Sequence, residues 1–255
     1  MSAAPRVLVT RASAQAATTL AALRDAGLAP VHVPAIDIEM VPDGGIDTAA
    51  RCLHTYRWVV ITSPNGARAI LAAAERVETH LGIPGWASIG ESTGRVLEAE
   101  GIEVAFMPTA ADAATLAEEL PVCAGDAILV IRGELAGTAL AGALRRRDAE
   151  VDDVVAYRTI EAPSSSVRLL REAFDVGRPA ALIFTSGSTV RGLIALARDA
   201  SIEVRDIPAI CIGAVTAEVA DASGFGVAAV SASPDPRALA KATAAALAHQ
   251  PVEVR

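Results

Sequence analysis

The stretch VVITSPNGARAIL, residues 59–71, sets out the fold in miniature, and LIFTSGSTVRGLI, residues 182–194, repeats it 123 positions later. Each opens on a short apolar run. Such a run, bounded by a turn, reads as a strand buried on both faces. Each run ends in a Thr-Ser pair, Thr62-Ser63 and Thr185-Ser186, followed by a turn of small residues and a helix pattern carrying Arg68 or Arg191. Strand, tight turn and helix, repeated, build a parallel sheet with helices on both faces, which predicts an α/β fold.

Working outward, the same unit recurs. Residues 87–104, ASIGESTGRVLEAEGIEV, return 123 positions on as residues 210–227, ICIGAVTAEVADASGFGV. Ile89, Gly90, Thr93, Val96, Gly101 and Val104 match Ile212, Gly213, Thr216, Val219, Gly224 and Val227. The match extends to Asp112 and Asp235, both expected as helix N-caps. Residues 7–33, VLVTRASAQAATTLAALRDAGLAPVHV, return 121 positions on as residues 128–154, ILVIRGELAGTALAGALRRRDAEVDDV. Arg11 matches Arg132; Gly27, a helix stop, is replaced by Asp148. Residues 34–41, PAIDIEMV, and 154–161, VVAYRTIE, stand outside the scheme and alternate as half-exposed strands do. Polar segments, residues 42–47 and 162–166, follow them. These are the expected crossing points between two lobes.

Of 255 residues, 52% are hydrophobic but only 3% aromatic, so the core must be Ala, Val, Leu and Ile. The mean hydropathy of +0.40 reflects alanine. No run approaches the ~20 apolar residues of a membrane span. The opening MSAAPR leads straight into a strand pattern, so no signal peptide is expected and a cytoplasmic location is. A net charge of −8 without a basic block excludes nucleic acid and anionic membranes as main partners. Cys52, Cys123 and Cys211 are odd in number and far apart, and read as core or near-core residues. His32, His54, His80 and His249 share no zinc-site spacing, so no metal is expected. Lys241, the one lysine, sits mid-helix in an alanine-rich pattern, where neither a phosphate loop nor a Schiff base belongs.

Parallel sheets carry their chemistry at the carboxyl ends of the strands. There lie Arg11; Thr62, Ser63, Asn65 and Gly66; Thr93; Arg132 and Gly133; Thr185, Ser186, Gly187 and Ser188; and Thr216. A strand end entering a helix N-terminus offers backbone N–H groups and the positive end of the helix dipole, and Ser and Thr add hydroxyls. Two readings fit: an anion cradle, or plain N-capping. In the Gly-x-x-Thr turns the glycine is expected to permit the tight turn, with Thr93 and Thr216 capping or contacting a ligand. Arg11 and Arg132 suit either a ligand carboxylate or a neighbouring acid. Tyr157 either fills space or donates a proton; Tyr56 reads as packing. Gly90-Glu91-Ser92-Thr93-Gly94 fits the nucleophile elbow of a serine hydrolase, but its repeat copy loses the serine and only His249 follows it. Gly224-Phe225-Gly226 enters a strand, the reverse of a dinucleotide fingerprint.

Taken in order, VLVTR, WVVITSPNGARAI, SIGESTGRVLEAEG with Pro108, LVIRG, VVAYRT, LIFTSGSTV and ICIGAVTAEVADASG resemble the uroporphyrinogen-III synthase family over nearly the whole chain. The resemblance implies two parallel-sheet α/β lobes, flavodoxin-like, joined by a two-stranded β-ladder, with segments exchanged between the sequence halves. Lobe one takes residues 1–36 and 160–255, and lobe two residues 40–155. The family's reaction is cofactor-free. Hydroxymethylbilane, a linear tetrapyrrole with eight carboxylates, loses its hydroxyl as water to give an azafulvene. Ring D is attacked at its substituted carbon, and a spiro intermediate recloses with D inverted. By resemblance Tyr157 assists departure of the hydroxyl, Ser63, Thr93, Ser186 and Thr216 lie near the tetrapyrrole, and the strand ends 62–63 and 185–186 face one another across the substrate cleft. A monomer is expected. The alternative is a non-catalytic tetrapyrrole or polyanion sensor of the same fold.

Overall fold

The computed structural model describes residues 4–41, 45–82 and 84–248; Pro42, Asp43 and Gly44 of the polar segment after residue 41 lie outside the described residues, as does His249. In chain order the elements are β1 (Arg6–Val9), α1 (Ser13–Asp25), β2 (Ala29–His32), β3 (Ile36–Met40), α2 (Ile46–Arg51), β4 (Trp58–Ile61) and α3 (Pro64–Arg76). There follow β5 (Gly85–Ser88), α4 (Glu91–Ala99), β6 (Val104–Phe106), α5 (Ala113–Glu119), β7 (Ala127–Gly133), α6 (Ala139–Arg145) and β8 (Glu150–Glu161). The last third holds α7 (Ser165–Val176), β9 (Ala181–Phe184), α8 (Gly187–Ala200), β10 (Ala209–Cys211), α9 (Ala214–Ala222), β11 (Val227–Val230) and α10 (Pro236–Ala248).

The chain divides into two compact units, Met1–Asp37 with Ile160–Arg255, and Ile38–Thr159. The first contains a sheet of order β11-β10-β9-β1-β2, parallel throughout. The second is built on the order β3-β8-β7-β4-β5-β6, parallel from β8 to β6. The repeat aligns β1 with β7, β2 with β8, and β9, β10 and β11 with β4, β5 and β6. With those equivalences the two sheets have one spatial order. In the first unit it is the flavodoxin order 2-1-3-4-5. In the second the chain enters at the third strand, so the same architecture is circularly permuted. Each unit therefore combines segments from both copies of the repeat.

The central strands are buried on both faces, as parallel sheets require. In the first unit Leu8, Leu182, Phe184 and Cys211 pack with Leu170, Val190 and Leu193 of α7 and α8. Their neighbours Val7, Val9, Ile183 and Ile210 pack with Leu23 of α1 and Leu239 of α10. In the second unit Val59, Ile61, Leu129 and Ile131 face α2 and α3. Val60, Ile128 and Val130 face Leu116 of α5 and Leu144 of α6. Each such side chain contributes roughly 1.5–3 kcal/mol when fully buried. Cys211 is buried and its thiol pKa is pushed up to about 11 by desolvation. Cys52 is half-buried, whereas Cys123 is exposed, contrary to the core reading. Its backbone N–H donates to Asp126 in a surface turn.

Local signals behave as their chemistry directs. Asp112 accepts from the amides of Ala114 and Thr115, and Asp235 from those of Arg237 and Ala238; both are N-caps. Gly27 ends α1 at φ +79°, and Asp148 takes the same left-handed role after α6 at φ +60°. The helix end survives the loss of glycine because aspartate tolerates this region better than most residues. Gly192 of α8 packs against the strand crossing, where Ala162 donates to the carbonyl of Ala35. A Cβ at Gly192 would fall inside the van der Waals shell of that oxygen.

These two positions should respond in opposite senses. Gly192→Ala is expected to lower stability by about 1–3 kcal/mol through overpacking. Asp148→Gly, relieved of left-handed strain, should hold or raise stability by about 0.5 kcal/mol. Urea-denaturation midpoints of the two variants check both.

Candidate functional site

In doubly wound sheets the crevice lies where neighbouring strands send their helices to opposite faces. That switch falls between β7 and β4 in the second unit and between β1 and β9 in the first. The residues just past those four strands are therefore the ones presented to a ligand.

In the second unit, Thr62 continues β4 by bonding the carbonyl of Ile131 through both its N–H (3.1 Å) and its hydroxyl (3.2 Å). Ser63 is the N-cap of α3, with Oγ accepting from the Gly66 amide at 3.1 Å. Tyr157, within β8 and opposite the last residue of β7, donates its phenol to the same Oγ at 3.0 Å. Its ring lies on Gly133 at the end of β7. A Cβ on Gly133 would sit 2.6 Å from the ring, so glycine is required there for space. Its φ of −79° is open to any residue. Asn65 Oδ1 accepts from Arg68 at 3.3 Å. The ends of β4 and β7 and the middle of β8 thus meet at two hydroxyls, Ser63 and Tyr157, both half-buried.

The other tyrosine is committed elsewhere. Tyr56 donates to Asp152 at 2.5 Å. Burial first, then that bond, raises its pKa, so it holds its proton tightly.

The first unit arranges comparable groups differently. Buried Thr10 donates to the carbonyl of Ile183 at 2.7 Å. Arg11 contacts Gln15 Oε1 at 3.4 Å, and a ring nitrogen of His32 lies 2.8 Å from the Arg11 carbonyl. Ser186 caps α8 in a capping box with Thr189, whose hydroxyl accepts from the amides of Thr185 and Ser186. Ser188 Oγ accepts from Arg191, which also pairs with Glu161.

Several expectations change. The cradle of open amides is narrower than the sequence suggested. Pro64 has no N–H, Gly66 is taken by Ser63, and Thr185 and Ser186 are taken by Thr189. Capping thus uses donors that the cradle reading had offered to a ligand. Gly90 and Gly213 have φ near ±180°, an extended backbone, so neither is there to make a tight turn. Thr93 and Thr216 are buried in the first turns of α4 and α9. For Arg132 the geometry favours the neighbouring acid of the two readings: its guanidinium meets Asp153 through two bonds of 2.7 and 3.0 Å, and both side chains are about nine-tenths buried. It reads as the structural arginine, turned to an acid of its own sheet. Ser92 is exposed on the first turn of α4 without the left-handed backbone strain of an elbow. Sequence reasoning missed Asp153, His32 and Thr189. The 121-residue offset that pairs Arg11 with Arg132 also pairs His32 with Asp153, and that signal was available.

A family model described as uroporphyrinogen-III synthase HemD matches residues 17–241. The chain is 28% identical over 226 residues to the porphyrin biosynthesis protein HemD of Ruminiclostridium josui, covering 84% of this chain but only 43% of that protein. It is 29% identical over 202 residues to the uroporphyrinogen-III synthase of Synechococcus elongatus, covering 74% of each. A mutant uroporphyrinogen III synthase from Thermus thermophilus shares the fold at TM-score 0.68 and 21% identity, over 97% of this chain and all of that one. The synthetase of Helicobacter pylori shares it at TM-score 0.61 and 16% identity, over 94% and 99%. With its family model matched across residues 17–241, the chain belongs to the uroporphyrinogen-III synthase family.

Proposed function

We propose that the chain cyclises hydroxymethylbilane to uroporphyrinogen III, with Tyr157 as the proton donor to the departing hydroxyl. The observation that carries the reading is the Tyr157–Ser63 hydrogen bond, held at a sheet switch point in a chain of this family. In the resting site the phenol O–H donates to Ser63 Oγ. When the substrate's hydroxymethyl group takes that place, the phenol donates to it and the C–O bond breaks. Water leaves, and the azafulvene remains in its protonated, cationic form opposite the phenolate. Its carbon bonds to the substituted carbon of ring D, and the spiro intermediate opens and recloses with D inverted. The ring carbon that closes the macrocycle then loses its hydrogen as a proton, which restores the phenol. One water is released and no electrons are exchanged, so the step asks for positioning and a single acid.

A net charge of −8 opposes long-range attraction of a polycarboxylate, so local hydroxyl and amide donors at the strand ends are the proposed hold on it. Thr62, Ser63, Asn65, Gly66, Thr93 and Gly133 are the proposed contacts in the second unit. Arg11, Thr185, Ser186, Gly187, Ser188 and Thr216 are those in the first. A cytoplasmic, monomeric enzyme is the proposed working form. Among the described residues no helix is long and apolar enough to cross a membrane.

Purified protein given fresh hydroxymethylbilane should yield the type III isomer; formation of the type I isomer alone overturns the reading. Tyr157→Phe should reduce turnover by about a hundredfold or more while thermal unfolding stays near wild type. Ser63→Ala removes both the α3 cap and the phenol's partner. It should lower stability by about 1 kcal/mol and slow turnover less than Tyr157→Phe does.

A further inference from the structure

The pairing of β7 with β8 is regular from Ala127 opposite Glu150 to Arg132 opposite Val155, then skips one residue, so that Gly133 stands opposite Tyr157. An extra residue on one strand is a bulge, and a bulge re-aims the side chains beyond it. In unbroken register Gly133 would face Ala156, and Tyr157 would lie past the end of β7. Arg132 spans the skip. Its Nε and Nη2 donate to Asp153 on β8, and its Nη1 donates to the carbonyls of Gly133 at 3.3 Å and Glu134 at 3.4 Å. One planar, rigid group therefore ties β8 before the bulge to the backbone of β7 beyond it.

The other copy of the repeat supplies the contrast. Arg11, His32 and Ile36 stand 121 positions before Arg132, Asp153 and Tyr157. There β1 and β2 pair from Arg6 opposite Ala29 to Val9 opposite His32, and β1 ends before the position that matches Gly133. The carboxylate that holds the arginine occurs in the copy that carries the tyrosine, and His32 stands in its place in the other.

We propose that Arg132 and Asp153 are positioning residues for Tyr157: the buried pair fixes the bulge that lays the phenol on Gly133 and within reach of Ser63. The inference rests on the reading of Tyr157 as proton donor. It replaces a role for Arg132 at a substrate carboxylate.

A double-mutant cycle on the full chain with hydroxymethylbilane tests it. Tyr157→Phe comes first; a wild-type rate there removes the proton-donor reading and the positioning role with it. With Tyr157→Phe slow, Asp153→Asn should lower kcat roughly tenfold or more with KM within about twofold, and should cost nothing further in the Tyr157→Phe background. A loss that adds to that of Tyr157→Phe overturns the positioning role alone. So does Arg132→Lys acting mainly on KM. Where Asp153→Asn does not fold, the double variant Arg132→Met/Asp153→Leu removes both charges and leaves no orphaned ion. Folded, it should show the same loss of kcat; wild-type kcat in that folded variant overturns the proposal.

Discussion

A strand buried on both faces has no side chain to spare along its length. Val59, Val60 and Ile61, or Leu182, Ile183 and Phe184, are fully enclosed by helices on either side. Polar groups are left to the residues between each strand and the next helix, and to strand positions such as Tyr157 that stand opposite the end of a shorter neighbour. The former must also end one element and start another. Ser63 shows the double duty: one oxygen caps α3 and receives the phenol of Tyr157. Ser186 shows the other outcome, a capping box in which its oxygen accepts from the Thr189 amide and its own amide donates to the Thr189 hydroxyl.

The repeat makes these alternatives comparable, because both units use one sheet order and differ at the strand ends. Arg132 meets Asp153, while Arg11 has His32 at the matching place. The pair in the second unit is a buried ion pair, whose disruption on one side leaves an uncompensated charge. Such a pair is a poor device for adding stability and a good one for specifying geometry, here the offset of two strands by one residue. The two units share one strand order, and small changes at the strand ends give the matching arginines different partners.

Much of this was legible in the sequence. The strand-turn-helix repeats, the N-caps at Asp112 and Asp235 and the strands on either side of residue 36 follow from local chemistry and periodicity. The site residues followed less well. The glycines at 90 and 213 looked conformational because a sequence shows a glycine without its φ. Gly133 matters through a contact with Tyr157, 24 residues away, which no local pattern encodes. Thr189 was passed over because its use of the Thr185 and Ser186 amides emerges only once α8 is folded. Asp153 was legible in principle, through the repeat, but an acid in a charged strand looks like surface until its partner is known to be buried.

The permuted chain path sets a timetable for synthesis. The second unit is one continuous segment, so all its strands have been made once β8 emerges. The first unit is not: β1 lies between β2 and β9, and Thr10 bonds Ile183, 173 residues downstream. At ~5–20 residues per second a ribosome needs roughly 10–30 s to deliver that partner. For that interval Val7, Leu8 and Val9 lack their native neighbour on the side of β9, so a strand made early is among the last to be enclosed.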